Sequence, residues 1–364
     1  MKRRLLAFVA VFAIIFTLLA SLGSCGEKYK PVKSTDEEEE AVIKISYENE
    51  KYEVPYELYR AFFLQFKSAV DGGDNTVWSG ADKEKYEKAV DELIAQRIAE
   101  IYGVFHLCEK ADINVYSRDF DKAVRESIEA EIDGRFGSDY DKYLASLKEM
   151  NHNYSTAELM IRYHLARQSL MDYYVGPLDD DSINTGSNPG KIQYTKADVL
   201  SFYQNEAHSR RIIKVELPEH LTKDEAIAKR DALAALAANP DTTYTDIIIH
   251  IANNTLANPA AEVIGKYTYD TMYYSELTET AFATKVGEVS DIFTLKTSDF
   301  NGYAFVYRLA ADNAFFEKNY ADIAVSFVLN KFGETVSTAS AEIMKAMTPT
   351  DVLKELDRSK VTME

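Results

Sequence analysis

Cysteine is nearly absent from this chain of 364 residues: there are two, Cys25 and Cys108. So few thiols cannot build the multi-bridge framework of a disulfide-stapled domain. The six histidines are scattered, with no His/Cys/carboxylate spacing that suggests a metal site, and no metal is expected. Positive charge is also short: 41 Lys and Arg against 59 Asp and Glu leave a formal charge of −18. A phosphate backbone needs a basic surface, so nucleic acid is excluded as the expected partner. No glycine-rich phosphate loop and no Gly-x-Ser-x-Gly elbow occurs, and no cofactor is implied. Asp179-Asp180-Asp181 lacks the glycine and distal glutamate of a calcium loop and reads as a solvated turn. Tryptophan is single, whereas Tyr (24) and Phe (18) are plentiful and hydrophobic residues reach 46%, enough to build substantial cores.

The one long apolar run lies at the start. Lys2, Arg3 and Arg4 precede Leu5 to Leu19, and Leu22-Gly23-Ser24 lead into Cys25. A basic head, a short apolar core and small residues before a cut site make a secretory signal over residues 1–24, and the run is too short for a membrane span. The small pair directly before Cys25 resembles a bacterial lipobox. That resemblance implies lipidation at Cys25, cleavage before it, and a chain tethered to a bacterial cell membrane by acyl chains, facing outward. Removing Lys2, Arg3 and Arg4 takes the net charge from −18 to −21. Residues 25–41 end in Asp36-Glu37-Glu38-Glu39-Glu40, an acidic linker expected to stay solvated and extended.

Order begins at Val42, where alternation predicts a hairpin from Val42–Tyr47 and Lys51–Val54. Pro55 opens a helix carrying Leu58, Phe62 and Phe66. Further helices are expected over Asp82–Lys110, from the Ser117 cap to Phe136, over Ser138–Glu149, and from a capping box at Ser155–Glu158 to Tyr174. Cys108 sits in the apolar run Val104–Cys108 and reads as a buried, inert thiol. His106, His152 and His164 read as structural or surface residues. Residues 176–190 form a loop, and Thr195 caps a helix over Lys196–Ala207. The pattern then changes: a strand over Arg210–Leu217, helices over Lys223–Ala238 and Tyr244–Ala252, a turn and short helix over Met272–Ala283, and a strand over Tyr303–Leu309. Strand, helix, helix, strand describes an α+β domain. A last helix is expected from Phe315 to Met347, followed by a short tail from Pro349.

Several motifs in this order resemble the PrsA/SurA group of extracytoplasmic foldases. Val90–Arg97 followed by Asp112-Ile113-Asn114-Val115 is similar to the chaperone-domain helices of that group. Met272, Glu276-Leu277, Ala281-Phe282, Gly287-Glu288-Val289-Ser290 and Gly302-Tyr303 are similar to a parvulin-type peptidyl-prolyl isomerase. The resemblance implies an α+β fold that is mainly helical: a SurA-N-like domain over 42–195, a connecting helix at 196–207, a parvulin-like insert over 208–312, and residues 313–364 completing the helical domain. It also implies partners: unfolded or Pro-containing secreted polypeptides, a lipid membrane through acylated Cys25, and pairing into a homodimer.

The departures bear on chemistry. By the family alignment, Arg211 stands where the first-strand histidine would be and Ala304 where the second would be. Of the glycine-rich motif before Met272, only Gly265 remains. Prolyl isomerisation must lower an amide barrier of about 18–20 kcal/mol without breaking a covalent bond, which a dry apolar cup can do. The expected proline pocket is Met272, Leu277 and Phe282, with Arg211 as the candidate catalytic group, or else paired with a carboxylate such as Glu262. Tyr59, Phe62, Phe63 and Phe66 offer an aromatic face to clients. The implied function is a membrane-anchored folding factor whose isomerase activity is weak or lost. The alternatives are an active isomerase with an altered pocket and a non-catalytic surface-binding lipoprotein.

Overall fold

The computed structural model describes residues 28–176, 190–255, 260–267, 271–296 and 300–362. Cys25, the acidic turn at Asp179–Asp181 and most of the expected loop at 176–190 lie outside these residues. The fold is α+β and mainly helical, with two small antiparallel sheets. Among the described residues no helix is long and apolar enough to cross a membrane.

The chain divides into two compact units: residues 1–170 with 336–364, and residues 171–335. The expectation from sequence set the corresponding boundaries at 195/196 and 312/313.

In the first unit, α1 (Asp36–Glu39) precedes the hairpin β1 (Ala41–Tyr47) and β2 (Glu50–Pro55). Then come α2 (Tyr56–Asp71), α3 (Lys83–Lys110), α4 (Arg118–Phe136), α5 (Tyr140–Glu149) and α6 (Tyr154–Tyr174), the last of which crosses the division. Pro55 is the residue before α2 and not its first position. Its extended backbone at ψ 154° keeps it in β2, opposite Ala41, and leaves Tyr56 to begin the helix. The capping box expected at Ser155–Glu158 sits two residues earlier. Thr156 N–H donates to Asn153 Oδ1 at 2.9 Å, and Asn153 N–H donates to Thr156 Oγ1 at 2.9 Å. Ser155 instead donates to Glu57 Oε1 at 2.6 Å.

The acidic segment is not extended. Thr35 caps α1, and Glu38 pairs with Arg60 at 2.7 Å. Burial raises the Glu38 carboxyl, but the Thr35 N–H and the Arg60 guanidinium more than offset this and hold it below the usual range. Upstream, Lys28 pairs with Asp133, and Tyr29 stacks on Tyr140 at 5.3 Å. Local cations and rings therefore dock a segment that composition alone marks as solvated.

The second unit holds α7 (Lys196–Gln204), β3 (Ser209–Glu216), α8 (Lys223–Ala237), α9 (Tyr244–Asn254), β4 (Ala261–Gly265), α10 (Thr271–Ala283), β5 (Phe293–Lys296), β6 (Asn301–Leu309) and α11 (Asn313–Lys318). Its sheet runs β4-β3-β6-β5, all neighbours antiparallel. Strands β4 and β5 are additional to the two expected. Strand β3 buries residues on both sides. Ile213, Val215 and Leu217 pack with Ala226, Leu233, Ile247 and Ile251 of α8 and α9. Ile212 packs with Leu277 and Ala281 of α10. Helices therefore cover both faces, and each buried aliphatic side chain contributes about 1.5–3 kcal/mol.

The expected last helix is two. A break at Asn319 separates α11 from α12 (Tyr320–Lys345), which crosses the division back into the first unit. The tail is structured: β7 (Met347–Pro349), α13 (Asp351–Glu355) and a 3-10 turn at Arg358–Lys360. Strand β7 pairs antiparallel with β1, matching Ile43 to Pro349 and Ile45 to Met347. Thr350 Oγ1 donates to the Ala41 carbonyl, 309 positions away, at 2.9 Å. Gly103 of α3 makes room for this return: a Cβ there would meet Ser340 backbone nitrogen at 3.0 Å. Arg358 closes the join, buried at 8% exposure, with Nη2 2.6 Å from Asp91 Oδ2 and Nε 3.1 Å from the Tyr59 hydroxyl.

Candidate functional site

Strand periodicity decides which of the expected site residues can meet. Side chains alternate faces along a strand. On β3, Arg211 shares the face of Ile213 and Val215, toward α8 and α9, while Arg210 shares the face of Ile212, toward α10. On β6, Ala304 and Val306 lie on the α10 face, and Phe305 lies on the other. The register pairs Ile212 with Arg308 and Glu216 with Ala304 without interruption, so parity is preserved across the sheet. Arg211 and Ala304 therefore stand on opposite faces and do not share a site.

Arg211 is engaged where it stands. Its guanidinium lies 4.2 Å from the centre of the Phe315 ring, donates to the Ala310 carbonyl at 3.0 Å and sits 3.9 Å from Asp312. Glu262, the carboxylate expected to meet it, is opposite Ile212 in the register and so shares the other face.

The α10 face holds the described part of the expected pocket. Leu277, only 9% exposed, is core: it packs with Ile212, Ile264, Ala281 and Val306. Phe282 is half-buried, and the Arg210 guanidinium covers its ring at 4.3 Å from the centre. Met272 lies in the first turn of α10, and its side chain is outside the described residues. The cation beside the expected apolar cup is thus Arg210, one residue before the position given by alignment. Nearby, Arg308 is buried and donates to the Arg211 and Leu309 carbonyls at 2.9 and 2.6 Å. Burial, with Arg210 adding repulsion, pushes its guanidinium down to about 10, so it stays charged at neutral pH.

Two motif fragments have structural work in this unit. In Gly287-Glu288-Val289-Ser290 the turn zips onto β6: Gly287 N–H donates to the Arg308 carbonyl at 2.9 Å, and Ser290 N–H to the Val306 carbonyl at 2.9 Å. Ser290 Oγ accepts from Val306 N–H at 3.0 Å and donates to the Asp291 carbonyl at 2.7 Å. Gly265 ends β4 against α12. A Cβ there would fall 2.7 Å from Asn330 Oδ1, which accepts from Tyr267 N–H at 2.8 Å. Only glycine leaves Asn330, itself 1% exposed, room for that bond.

In the first unit, the aromatic face offered to clients is interior. Tyr59, Phe62 and Phe63 are 0–2% exposed, and only Phe66 is half-buried. Phe63 packs edge-on to the single tryptophan, Trp78, at 5.2 Å. Cys108 is fully buried, and burial pushes its thiol up to about 12. His106 is buried against Glu50 at 2.8 Å. Among the described residues, no group of three or more His, Cys, Asp or Glu side chains is placed to hold a metal ion.

No family model matches the chain, and no curated protein matches it. Among solved structures it is similar to the foldase protein PrsA from Lactococcus lactis, at 16% identity over 89% of this chain and 99% of that one, with a TM-score of 0.25. It is similar to PrsA from Streptococcus pneumoniae at 14% identity, covering 83% and 92%, with a TM-score of 0.25. The likeness to PrsA from Bacillus subtilis is 13% over 72% and 87%, with a TM-score of 0.23. These structures carry the family name that the sequence resemblance implies.

Proposed function

We propose that this chain is a membrane-anchored, extracytoplasmic folding factor that binds unfolded secreted polypeptides, with isomerase activity weak or lost. One observation carries the reading: the order in which the chain builds its units. A helical unit opens with a hairpin, an α+β unit with a four-stranded sheet follows, and the chain then returns to complete the first unit through β7 on β1. That order supports the reading because a foldase of this kind would interrupt its helical body with a sheet-containing insert.

The helical unit binds clients, and the sheet unit handles proline-containing segments. The site chemistry supports weak catalysis at most. Arg211 and Ala304 replace the paired histidines and stand on opposite faces, Leu277 is committed to the core, and Phe282 lies under a guanidinium. Acylated Cys25 supplies the anchor, and the full chain pairs as a homodimer.

The deciding experiment follows aggregation of a chemically unfolded secreted enzyme in the presence of the full chain. Stoichiometric suppression is expected, and its absence overturns the reading in favour of a surface-binding lipoprotein. A protease-coupled assay on a proline-containing tetrapeptide is expected to run at the uncatalysed rate. Acceleration would mean an active isomerase with an altered pocket.

A further inference from the structure

A cleft of about 420 Å³ opens in the first unit where α3 ends and the chain turns toward α4. Its volume falls within the roughly 300–1,000 Å³ of small-ligand sites, so it suits one or two side chains and not a folded surface. The walls combine rings and carboxylates with the short stretch Ile113-Asn114-Val115. Tyr52, Phe105 and Tyr116 supply rings, and Glu109 and Asp112 supply carboxylates. Tyr116 is 57% exposed, an unusual placement for so large a ring, and packs edge-on to Phe105 at 6.0 Å.

We propose that this cleft takes the basic side chain, Lys or Arg, of an extended polypeptide, with an apolar neighbour seated on the rings. Three features on the page favour a cation there. First, carboxylates crowd without enough counter-charge. Behind the lining, Glu50 accepts from the hydroxyl of the wall residue Tyr52 and pairs with His106. Repulsion from the Glu50 carboxylate, then burial, raises the Glu109 carboxyl above its usual value. Lys110, next to Glu109 in sequence, is already paired with Glu48 at 3.0 Å. Second, the negative end of the 28-residue α3 points to the same place, where Asp112 is held at φ 58°. Third, the rings accept cations: the Arg162 guanidinium already lies 5.4 Å from the Tyr116 ring centre. Arg162 cannot serve the cleft's carboxylates, because its own donors are held by the Val115 carbonyl at 2.6 Å and Asp121 at 2.7 Å. An anionic ligand is repelled here, a neutral apolar one would cover carboxylates without satisfying them, and a neutral donor would leave their charge uncompensated.

This inference deepens the reading above, because a polypeptide-binding unit with this cleft selects segments in which a basic residue sits beside an aromatic one. The test uses the full chain and fluorescence anisotropy of a labelled five-residue peptide with a central Lys between two Phe. The same peptide with central Gln or Glu serves as the comparison. The Lys peptide is expected to bind about tenfold tighter than the Gln peptide, and the Glu peptide weakest. The Lys preference should fall with added salt. Glu109→Gln with Asp112→Asn should abolish the preference, and Tyr116→Ala should weaken both peptides. Unchanged Trp78 emission would show that the fold survives each change. Equal affinity for the Lys and Gln peptides, or a preference that survives Glu109→Gln with Asp112→Asn, overturns the proposal. Client aggregation is followed in parallel. Suppression without any Lys preference sinks this inference alone, while failure of suppression sinks the folding-factor reading and leaves the peptide result to decide the cleft.

Discussion

The two units are held by different chemistry. The first buries charge: Glu57, Arg60, Asp71, Arg97, Arg162 and Arg358 are each 9% exposed or less. Among the described residues of the second, the charged group buried to that degree is Arg308. The second unit instead packs aliphatic residues onto both faces of one sheet. The first unit is built from residues 1–170 and 336–364; one of its buried charges, Arg358, sits where those segments meet, and Glu57 ties distant parts of the first segment together. Glu57 takes Asn153 at 2.7 Å and Ser155 at 2.6 Å, and Arg358 takes Asp91 and Tyr59. Apolar packing alone accepts several registers, whereas a buried ion with fixed donors accepts few. Closure of the first unit at Arg358 thus uses polar specificity, while the second unit, made from one continuous segment, relies on burial.

The largest expected effect breaks that closure. Arg358→Ala leaves the Asp91 carboxylate without its cation and the Tyr59 hydroxyl oxygen without its donor, which costs about 2–4 kcal/mol after allowance for the partly exposed carboxylate. Urea unfolding followed by Trp78 emission reports the first unit, since Trp78 is buried there and is the only tryptophan. The midpoint should fall sharply, while helix–sheet signal from the second unit persists. A shift worth less than about 1 kcal/mol would mean that β7 and β1 hold the join without the ion.

A smaller effect is expected in the second unit. Gly265→Ala pushes Asn330 aside and breaks its bond from Tyr267 N–H. The cost is about 1–3 kcal/mol, that of an unsatisfied buried donor. Proteolysis should accelerate at the β4 and α12 segments with the Trp78 transition unchanged. If the Trp78 transition moves equally, the two units do not respond separately and the comparison fails.

The helices and the hairpin were legible in the sequence because each spans several periods of its pattern. Strands β4, β5 and β7 have five, four and three residues. No alternation can be read in so few, and each exists because a partner strand offers a ladder. Arg211 shows a second limit. Its face follows from alternation, but its separation from Ala304 follows from the pairing of Ile212 with Arg308, which no local pattern encodes. The cap at Asn153 was masked by an equally good box at Ser155, and only the pull of Glu57 on Ser155 decides between them. The cleft was missed because its residues come from β2, the end of α3 and the turn after it. Its visible signal was Asp112 and Tyr116 flanking a break already marked as the end of a helix.

The smallest effect separates the buried charges by pH. Asp71 accepts from Lys67 at 2.7 Å, Trp78 Nε1 at 2.8 Å and Gly73 N–H at 2.8 Å. Burial raises its carboxyl, and these donors outweigh that, so it sits below its ordinary value. A carboxyl lowered in the folded state contributes stability that is complete above the unfolded value of about 3.9 and is lost as pH falls through the folded one. Trp78 emission should therefore change on acidification below about pH 4, in step with loss of the bond to Asp71. Asp71→Asn keeps an acceptor for Trp78 but removes the proton-linked step, so its emission should be flat across that range. An identical acid transition in Asp71→Asn would place the effect on another carboxylate of the first unit. It would leave buried charge as the unit's organising chemistry while removing Asp71 from it.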